Sequence, residues 1–293
     1  MVGVFSLEGG SLLDLAIAPW NGKGTGEHAL LRELLSAFEA GDIVLGDAYY
    51  ASFFLIALLI EMGVDVVFAA GSSRNRDFRR GCRLGKSDHV VEWKKPARPK
   101  WMDKATYARF AKTIEVRETR VVLKEPGFKA KTIVLVSTLK DEKSVSAVDL
   151  AELYGYRWFI EVDFRSIKSI MRMDILRGKT PEMVRKEIWA HLLAYNLVRK
   201  LMLDAAIKYR RRPRTISFKL TLQMMSAFLQ AGVLSPENLQ AYQRFQKAIT
   251  TKTIGLQKRP SEPRMVKRRA KAFPRLQKSR HLYRRKVACG GLT

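Results

Sequence analysis

The pattern of apolar and polar positions in the first seventy residues predicts alternating strands and helices. Leucines at helical spacing follow Glu27 and stop before Gly41, and Ser52 can cap a second helix that reaches Met62. Four short apolar runs predict strands, and the glycines of Glu8–Ser11 suit a hairpin turn between the first two. These strands are Val2–Leu7, Leu12–Ala18, Ile43–Leu45 and Val64–Ala69. Their order with the two helices is typical of a layered α/β domain.

The segment 71–140 has a different pattern, because basic residues and strand-like runs replace the helices. Six arginines and lysines crowd Arg74–Lys86, which is interpreted as a glycine-containing loop. Proline-containing Lys94–Trp101 separates the first strand-like run from the other two. The three predicted strands are His89–Trp93, Thr113–Leu123 and Thr132–Leu139. We expect a β-rich insertion within the α/β domain rather than an independent module.

After Ser144 the pattern is helical. Ser146 can cap a helix that is predicted to run unbroken to about Met173. Thr180-Pro181, a cap followed by a first-turn proline, opens a helix reaching about Tyr209. Two shorter helices are predicted at Thr215–Ala231 and Glu237–Thr250. The expected division is 1–70 for the first part of a core, 71–140 for the insertion, 141–210 for its helical completion, 211–251 for C-terminal helices and 252–293 for a basic flexible tail.

The charge changes this picture, since a net +26 is not needed for folding and usually faces a polyanion, most often nucleic acid. Residues 1–70 hold nine acidic and two basic residues, so the basic excess lies in the remainder. An enzyme with metal ions on one part and DNA on the rest fits this asymmetry; so does a basic RNA-coating protein. Cys82 and Cys289 have no metal-ligand spacing, and no signal peptide or membrane span is apparent. We expect a soluble bacterial cytoplasmic protein associated with the nucleoid.

Candidate chemistry lies in one polar stripe of the first long helix. At about 100° per residue, four side chains fall within an arc of roughly 60°: Tyr154, Arg157, Glu161 and Lys168. Phosphodiester chemistry with divalent metals needs a carboxylate on the metal and cations on the flanking phosphates. A solvated helix face with spaced ion pairs is the simpler alternative. Asp47, at the C-terminal end of a predicted buried strand, can meet Glu161, because ligands bind at such strand ends in α/β sheets.

The spacing Tyr-x2-Arg-x3-Glu-x6-Lys over 154–168 resembles the signature of the insertion-sequence-four family of DDE transposases, relatives of the transposase of transposon Tn-five. Val44–Tyr50 is similar to that family's second-aspartate motif, and Met173-Asp174 with Leu176-Arg177 also looks familial. The resemblance covers roughly residues 1–205.

The resemblance implies an RNase H-like α/β core interrupted by the β-rich insertion. It implies that Asp47 and Glu161 are the second and third catalytic carboxylates and bind Mg²⁺ or Mn²⁺ in a two-metal site. One ion would activate the attacking water or 3′-hydroxyl, and the other would stabilise the leaving oxygen. Tyr154, Arg157 and Lys168 would hold the transposon end through phosphate contacts.

Two positions depart from the family pattern. Ala48 follows the aspartate where arginine is common in the family. The first catalytic aspartate is expected on a strand that precedes the hairpin, whereas this chain begins at the hairpin. Asp14 is the only early aspartate, and it lies on the wrong strand. The core is therefore interpreted as N-terminally truncated, the two-metal site as incomplete and catalysis as impaired.

Three functions remain open on this evidence. The first is a DDE transposase that cleaves transposon ends and transfers them to a target, with double-stranded DNA as its partner. It would act as a homodimer on DNA or in a hetero-assembly with a full-length relative. The second is an RNase H-like nuclease without strand transfer. The third is an inactive DNA-binding remnant that interferes with a full-length transposase.

Overall fold

The computed structural model of the chain describes residues 1–71, 74, 76–123, 131–231 and 238–251. Its strands form a separate two-stranded hairpin, β1-β2, and a six-stranded mixed sheet in the order β3-β4-β8-β7-β6-β5. The strands are β1 (Val2–Phe5), β2 (Leu12–Ala16), β3 (Ile43–Gly46), β4 (Asp65–Ala69), β5 (Cys82–Gly85), β6 (Asp88–Lys94), β7 (Thr113–Leu123) and β8 (Lys131–Ser137). The β3–β4 pair is parallel, and all other pairs are antiparallel.

The helices alternate with the first strands and then dominate the C-terminal half. They are α1 (Glu27–Glu33), α2 (Phe53–Glu61), α3 (Lys104–Arg109), α4 (Ala147–Gly155), α5 (Trp158–Arg165), α6 (Pro181–Lys208), α7 (Phe218–Gln230) and α8 (Leu239–Thr251). Short 3₁₀ turns occupy Leu35–Ala37 and Pro213–Thr215. The α/β order of the first seventy residues is confirmed, and the ends of the strands and of α2 differ from the predicted ones by at most two residues. The first helix ends earlier than predicted, at Glu33, and is followed by the 3₁₀ turn Leu35–Ala37. No helix in the described ranges is long and apolar enough to cross a membrane.

Strand β4 lies at the centre of the packing because both of its faces are covered. Val66 and Phe68 belong to the core cluster that contains helix α2, whereas Val67 packs with Leu150 of α4. A strand buried on both faces needs a continuous apolar run rather than alternation. That requirement explains the apolar run Val66–Ala69 that follows Asp65.

The hairpin joins two hydrophobic cores. Val2 and Val4 on β1 pack in the cluster around α2, while Leu12 and Leu15 on β2 pack against α6 and its neighbours. Asn196 of α6 holds the backbone of Leu12 from both sides, since its side chain accepts from the N–H and donates to the carbonyl at 2.9 and 2.8 Å. The hairpin is thereby fixed to the helical half of the molecule.

The predicted unbroken helix from Ser146 to Met173 is wrong. Ser146 does cap α4 in a reciprocal capping box with Asp149, but α4 ends at Gly155. The junction is tightened by i to i+3 bonds, including Tyr154 O to the Arg157 N–H at 3.0 Å, and glycine is a weak helix former. After α5 the chain forms a π-helical turn, Ser166–Ile170.

Two further elements were not predicted. Within Arg74–Lys86, interpreted as a loop, the structure has the edge strand β5, whose side chains are mostly exposed. Such a strand has no apolar alternation and depends on backbone pairing with β6. The short helix α3 is capped by Asp103, which accepts from the Thr106 N–H at 2.8 Å.

Candidate active site

Asp47 directly follows β3, where the parallel pair β3–β4 ends. Its carboxylate is exposed and turns back on the chain, accepting the Tyr49 N–H at 2.9 Å. Gly46 before it is enclosed, because a Cβ there would lie 2.8 Å from the Phe68 ring. The local backbone therefore presents the Asp47 carboxylate to solvent at the C-terminal edge of the sheet.

An aromatic cluster adjoins Asp47. The His28 ring lies 4.5 Å from the Tyr49 ring, and His28 Nε2 lies 2.8 Å from the Tyr49 carbonyl oxygen. Burial, followed by the negative charges of Glu27 and Asp47, raises the pKa of Tyr50 to about 12. Tyr50 is thus a neutral phenol at physiological pH. Tyr49 is 53% exposed.

Glu161 lies on α5 with 45% of its side chain exposed. Its Oε1 accepts a hydrogen bond from Arg157 Nη2 at 3.0 Å, an i,i+4 pair across one helical turn. Exposed pairs of this kind contribute at most about 1 kcal/mol. The carboxylate can therefore exchange Arg157 for another cation at small cost.

Tyr154 is only 6% exposed and does not share the open face of Glu161. It packs in the cluster with Val67 of β4 and Leu45 of β3, two residues before Asp47. The guanidinium of Arg157 lies 5.8 Å from the Tyr154 ring centre. The end of α4 is therefore packed on the sheet close to the strand that leads into Asp47.

Lys168 lies in the π-helical turn and is exposed, with its ammonium 5.4 Å from the Phe164 ring. A π turn holds more residues than an α turn, so Lys168 is displaced from its position on a regular helix. Together with the break after Gly155, this interrupts the single stripe expected from a continuous helix. Arg157 still pairs with Glu161, whereas Tyr154 is buried and Lys168 lies on the π turn. Across the described residues no three His, Cys, Asp or Glu side chains group closely enough to hold a metal.

Asp14 and the arginine-rich segment have ordinary local partners. Asp14 Oδ1 accepts the Leu15 N–H at 2.7 Å on β2. Arg74 stacks 3.7 Å above the buried Trp93 ring, and Arg79 pairs with Asp77 at 2.8 Å and holds the pKa of that carboxyl low, at about 2. The basic tail, Lys258–Lys286, lies outside the described residues.

Sequence reasoning missed a buried ionic cluster next to Glu161. Asp163 has no solvent exposure and binds two arginines, Arg199 on α6 and Arg214 in the following 3₁₀ turn. Those arginines are 36 and 51 residues away in sequence. The one available signal was a second acidic residue, Asp163, beside Glu161 in the mainly apolar stretch Trp158–Phe164, and that signal does not identify its partners.

Comparison with known proteins gives consistent results. A family model described as "Transposase DDE domain" matches residues 1–197. The chain is 28% identical over 208 residues to "Transposase InsG for insertion sequence element IS4" of Escherichia coli (strain K12), which covers 69% of this chain and 45% of that protein. It is 38% identical over 82 residues to "Transposase for insertion sequence element IS421" of Escherichia coli, covering 28% of this chain and 22% of that protein. The chain thus spans less than half the length of these curated relatives.

Proposed function

Because the chain belongs to the family of proteins with a transposase DDE domain, we propose that it is part of a DNA transposase that acts on the ends of an insertion sequence. In this proposal Asp47 and Glu161 are two of its catalytic carboxylates. The observation that carries the proposal is that Tyr154 is buried in the hydrophobic cluster against which Leu45 also packs. This shared cluster brings the segment leading into Glu161 near the strand leading into Asp47.

The two carboxylates suit a hard divalent cation. Both are exposed, both offer oxygen donors, and neither is held by a buried partner, which fits Mg²⁺ or Mn²⁺. When bound, such ions supply activation of a water or 3′-hydroxyl and stabilisation of the leaving oxygen. The hydrogen bond from Arg157 would hold the Glu161 carboxylate in one orientation before a cation binds.

Arg157 and Lys168 act on the DNA in this proposal. With a cation held by Glu161, the Arg157 guanidinium would be available to donate two hydrogen bonds to a phosphate. Lys168 adds an exposed charge on the adjacent turn. Tyr154, being buried, acts mainly by holding α4 on the sheet, and we assign it a supporting role rather than a direct phosphate contact.

We assign the hairpin, β3 and β4 to an RNase H-like core, with the β-rich insertion over 71–140 and the helical completion over 141–210. In the described part of the chain, β1 pairs only with β2 and β3 only with β4. Yet Val4 of β1 and Val66 of β4 share one core cluster. Among the described residues no third acidic side chain groups with Asp47 and Glu161. We therefore expect residues 1–293 to bind metal weakly and to be impaired in cleavage.

Metal binding tests the site directly. We expect Mn²⁺ to bind the purified chain together with duplex DNA that carries the element's terminal sequence, as measured from the loss of the free Mn²⁺ electron paramagnetic resonance signal. Asp47→Asn and Glu161→Gln should each weaken this binding at least tenfold. Glu182→Gln is the matched control, because Glu182 also forms an exposed i,i+4 pair, with Lys186 at 2.7 Å. Equal affinities for all four proteins would refute the site.

Cleavage tests the impairment. The chain should not nick its end DNA with Mg²⁺ at a measurable rate, whereas a full-length relative should nick its own end. Nicking by the chain at a comparable rate would contradict an incomplete carboxylate set. Sequencing the DNA upstream of the Met1 codon provides an independent check. In-frame codons there for a β-strand that carries an aspartate would identify the third carboxylate.

A second candidate function follows from the absence of a three-ligand group among the described residues and from the charge of +26. The chain would then bind DNA and interfere with assembly of a full-length transposase. Co-expression should lower the transposition frequency of the intact relative. An unchanged frequency would count against interference.

A further inference from the structure

The helix that carries Glu161 also contributes to a buried cluster of three charged residues. We call it the Asp163 cluster; its members are Asp163, Arg199 and Arg214. Both Asp163 oxygens lie 2.8 Å from Arg214 Nη1, and Oδ1 also accepts from Arg199 Nη2. The side chains of Asp163, Arg199 and Arg214 are 0%, 4% and 12% exposed. Ions taken this far out of water are stable only when their hydrogen bonds are satisfied.

The cluster binds the turn of the N-terminal hairpin. Arg214 donates to the Leu7 carbonyl at 2.7 Å and to the Ser6 carbonyl at 3.1 Å. Tyr195, which accepts from Arg199 at 2.9 Å, donates to the Gly10 carbonyl at 2.6 Å. A side chain at Gly10 would meet both arginines, with its Cβ 2.7 Å from Arg214 Nη1. The hairpin turn is therefore fitted closely around the two guanidinium groups.

The cluster also fixes the rotation of α5. Residues two apart on an α-helix are separated by roughly 200°, so Asp163 and Glu161 point to opposite sides. Asp163 is fully buried, whereas Glu161 is 45% exposed. Arg214 additionally lies 4.9 Å from the ring of Phe159 on the same helix. A rotation of α5 that moved Glu161 would break the contacts of Asp163.

We propose that Asp163 is a positioning residue: through Arg199 and Arg214 it holds α5 against the β1–β2 hairpin in the orientation that presents Glu161 for metal binding. This inference rests on the proposed role of Glu161. A buried ion pair is not by itself evidence of a large contribution to stability, and fixing one arrangement is a separate function of such pairs. The positioning role therefore predicts an effect on metal binding beyond any loss of stability.

The test compares Asp163→Asn with Asp88→Asn. Asp88 forms an equally closed pair with Arg117 between β6 and β7, where the guanidinium is 0% exposed. Asp163→Asn leaves two buried arginines without a carboxylate and Asp88→Asn leaves one, so we expect both variants to lower the melting temperature. Only Asp163→Asn should weaken Mn²⁺ binding by the full chain, by about threefold to thirtyfold, the range typical of coupling through a packed element. Hydrogen exchange should accelerate in 158–165 and 6–11 in this variant alone.

A milder variant covers the case in which Asp163→Asn does not fold. Arg214→Lys keeps the charge but loses the contacts to the Ser6 and Leu7 carbonyls, and we expect a smaller loss of Mn²⁺ affinity. The positioning role is refuted if neither cluster variant weakens Mn²⁺ binding more than Asp88→Asn does, while Glu161→Gln still weakens it. If Glu161→Gln itself has no effect on Mn²⁺ binding, the proposed metal site fails and the inference fails with it. This outcome differs from failure of the positioning role alone, in which Glu161→Gln still weakens Mn²⁺ binding.

Discussion

Replacement of Asp88 by asparagine tests how far one buried ion pair secures the sheet. Arg117 on β7 is the largest fully buried side chain in the described residues. It donates to Asp88 through Nε at 2.9 Å and Nη2 at 2.5 Å, while Nη1 donates to the Val145 carbonyl at 2.6 Å. Asp88 also accepts from Thr119 at 2.7 Å. The pair thus joins β6 and β7 to the segment that leads into α4.

The expected loss follows from burial. Asparagine preserves the shape but removes the charge, and a fully desolvated guanidinium then keeps only neutral acceptors. Breaking a buried pair in this way costs about 3–5 kcal/mol, a large share of a domain stability of about 5–15 kcal/mol. The exposed pair Lys140–Glu115, at 2.6 Å and with Glu115 on the same strand as Arg117, should contribute only about 0–1 kcal/mol.

Urea unfolding, monitored by circular dichroism, measures the loss in free energy of unfolding for each of the two ion pairs. Asp88→Asn should lower the midpoint strongly at an unchanged slope, and Glu115→Gln should leave it nearly unchanged. The reasoning would be refuted if the two variants unfolded at the same urea concentration, because burial would then not determine how much an ion pair contributes to the free energy of unfolding.

Three further predictions concern the site and the DNA. Gly46→Ala should weaken Mn²⁺ binding and lower the melting temperature, since its Cβ would press on Phe68 at 2.8 Å; Gly26→Ala, which meets no atom within 4 Å, is the control. The pKa of Tyr50 is raised to about 12 from an ordinary 10.0, so its contribution to stability is fully present below pH 10 and is lost as the pH rises from 10 toward about 12. Thermal melts of Tyr50→Phe should therefore lose less stability across that range than the parent, and equal losses would contradict this. DNA affinity should fall at least tenfold between about 50 and 200 mM salt, and a salt-independent affinity in a filter-binding assay would exclude phosphate contacts as its main source.

Much of the fold could be predicted locally. Apolar runs identified β3 and β4, and the capping signals at Ser146 and at Thr180-Pro181 gave helix starts that the structure contains. Where the pattern is uninformative, prediction failed: the edge strand β5 has no buried face to impose alternation. The helix break after Gly155 was also missed, because a single glycine costs a helix only about 1 kcal/mol and packing decides whether the helix continues.

For the candidate site, too, some features could be predicted from the sequence and others depended on the tertiary structure. Residue type and spacing were sufficient to propose Asp47, Glu161 and their neighbours as candidate site residues, since both are properties of the chain itself. Their environments required the tertiary structure. Tyr154 is buried and Glu161 exposed because α4 ends and α5 begins between them, which no periodicity predicts. Asp163 became an anchor only when α6 and the turn after it brought two distant arginines to it, because ionic contacts form between residues close in space, wherever they lie in sequence.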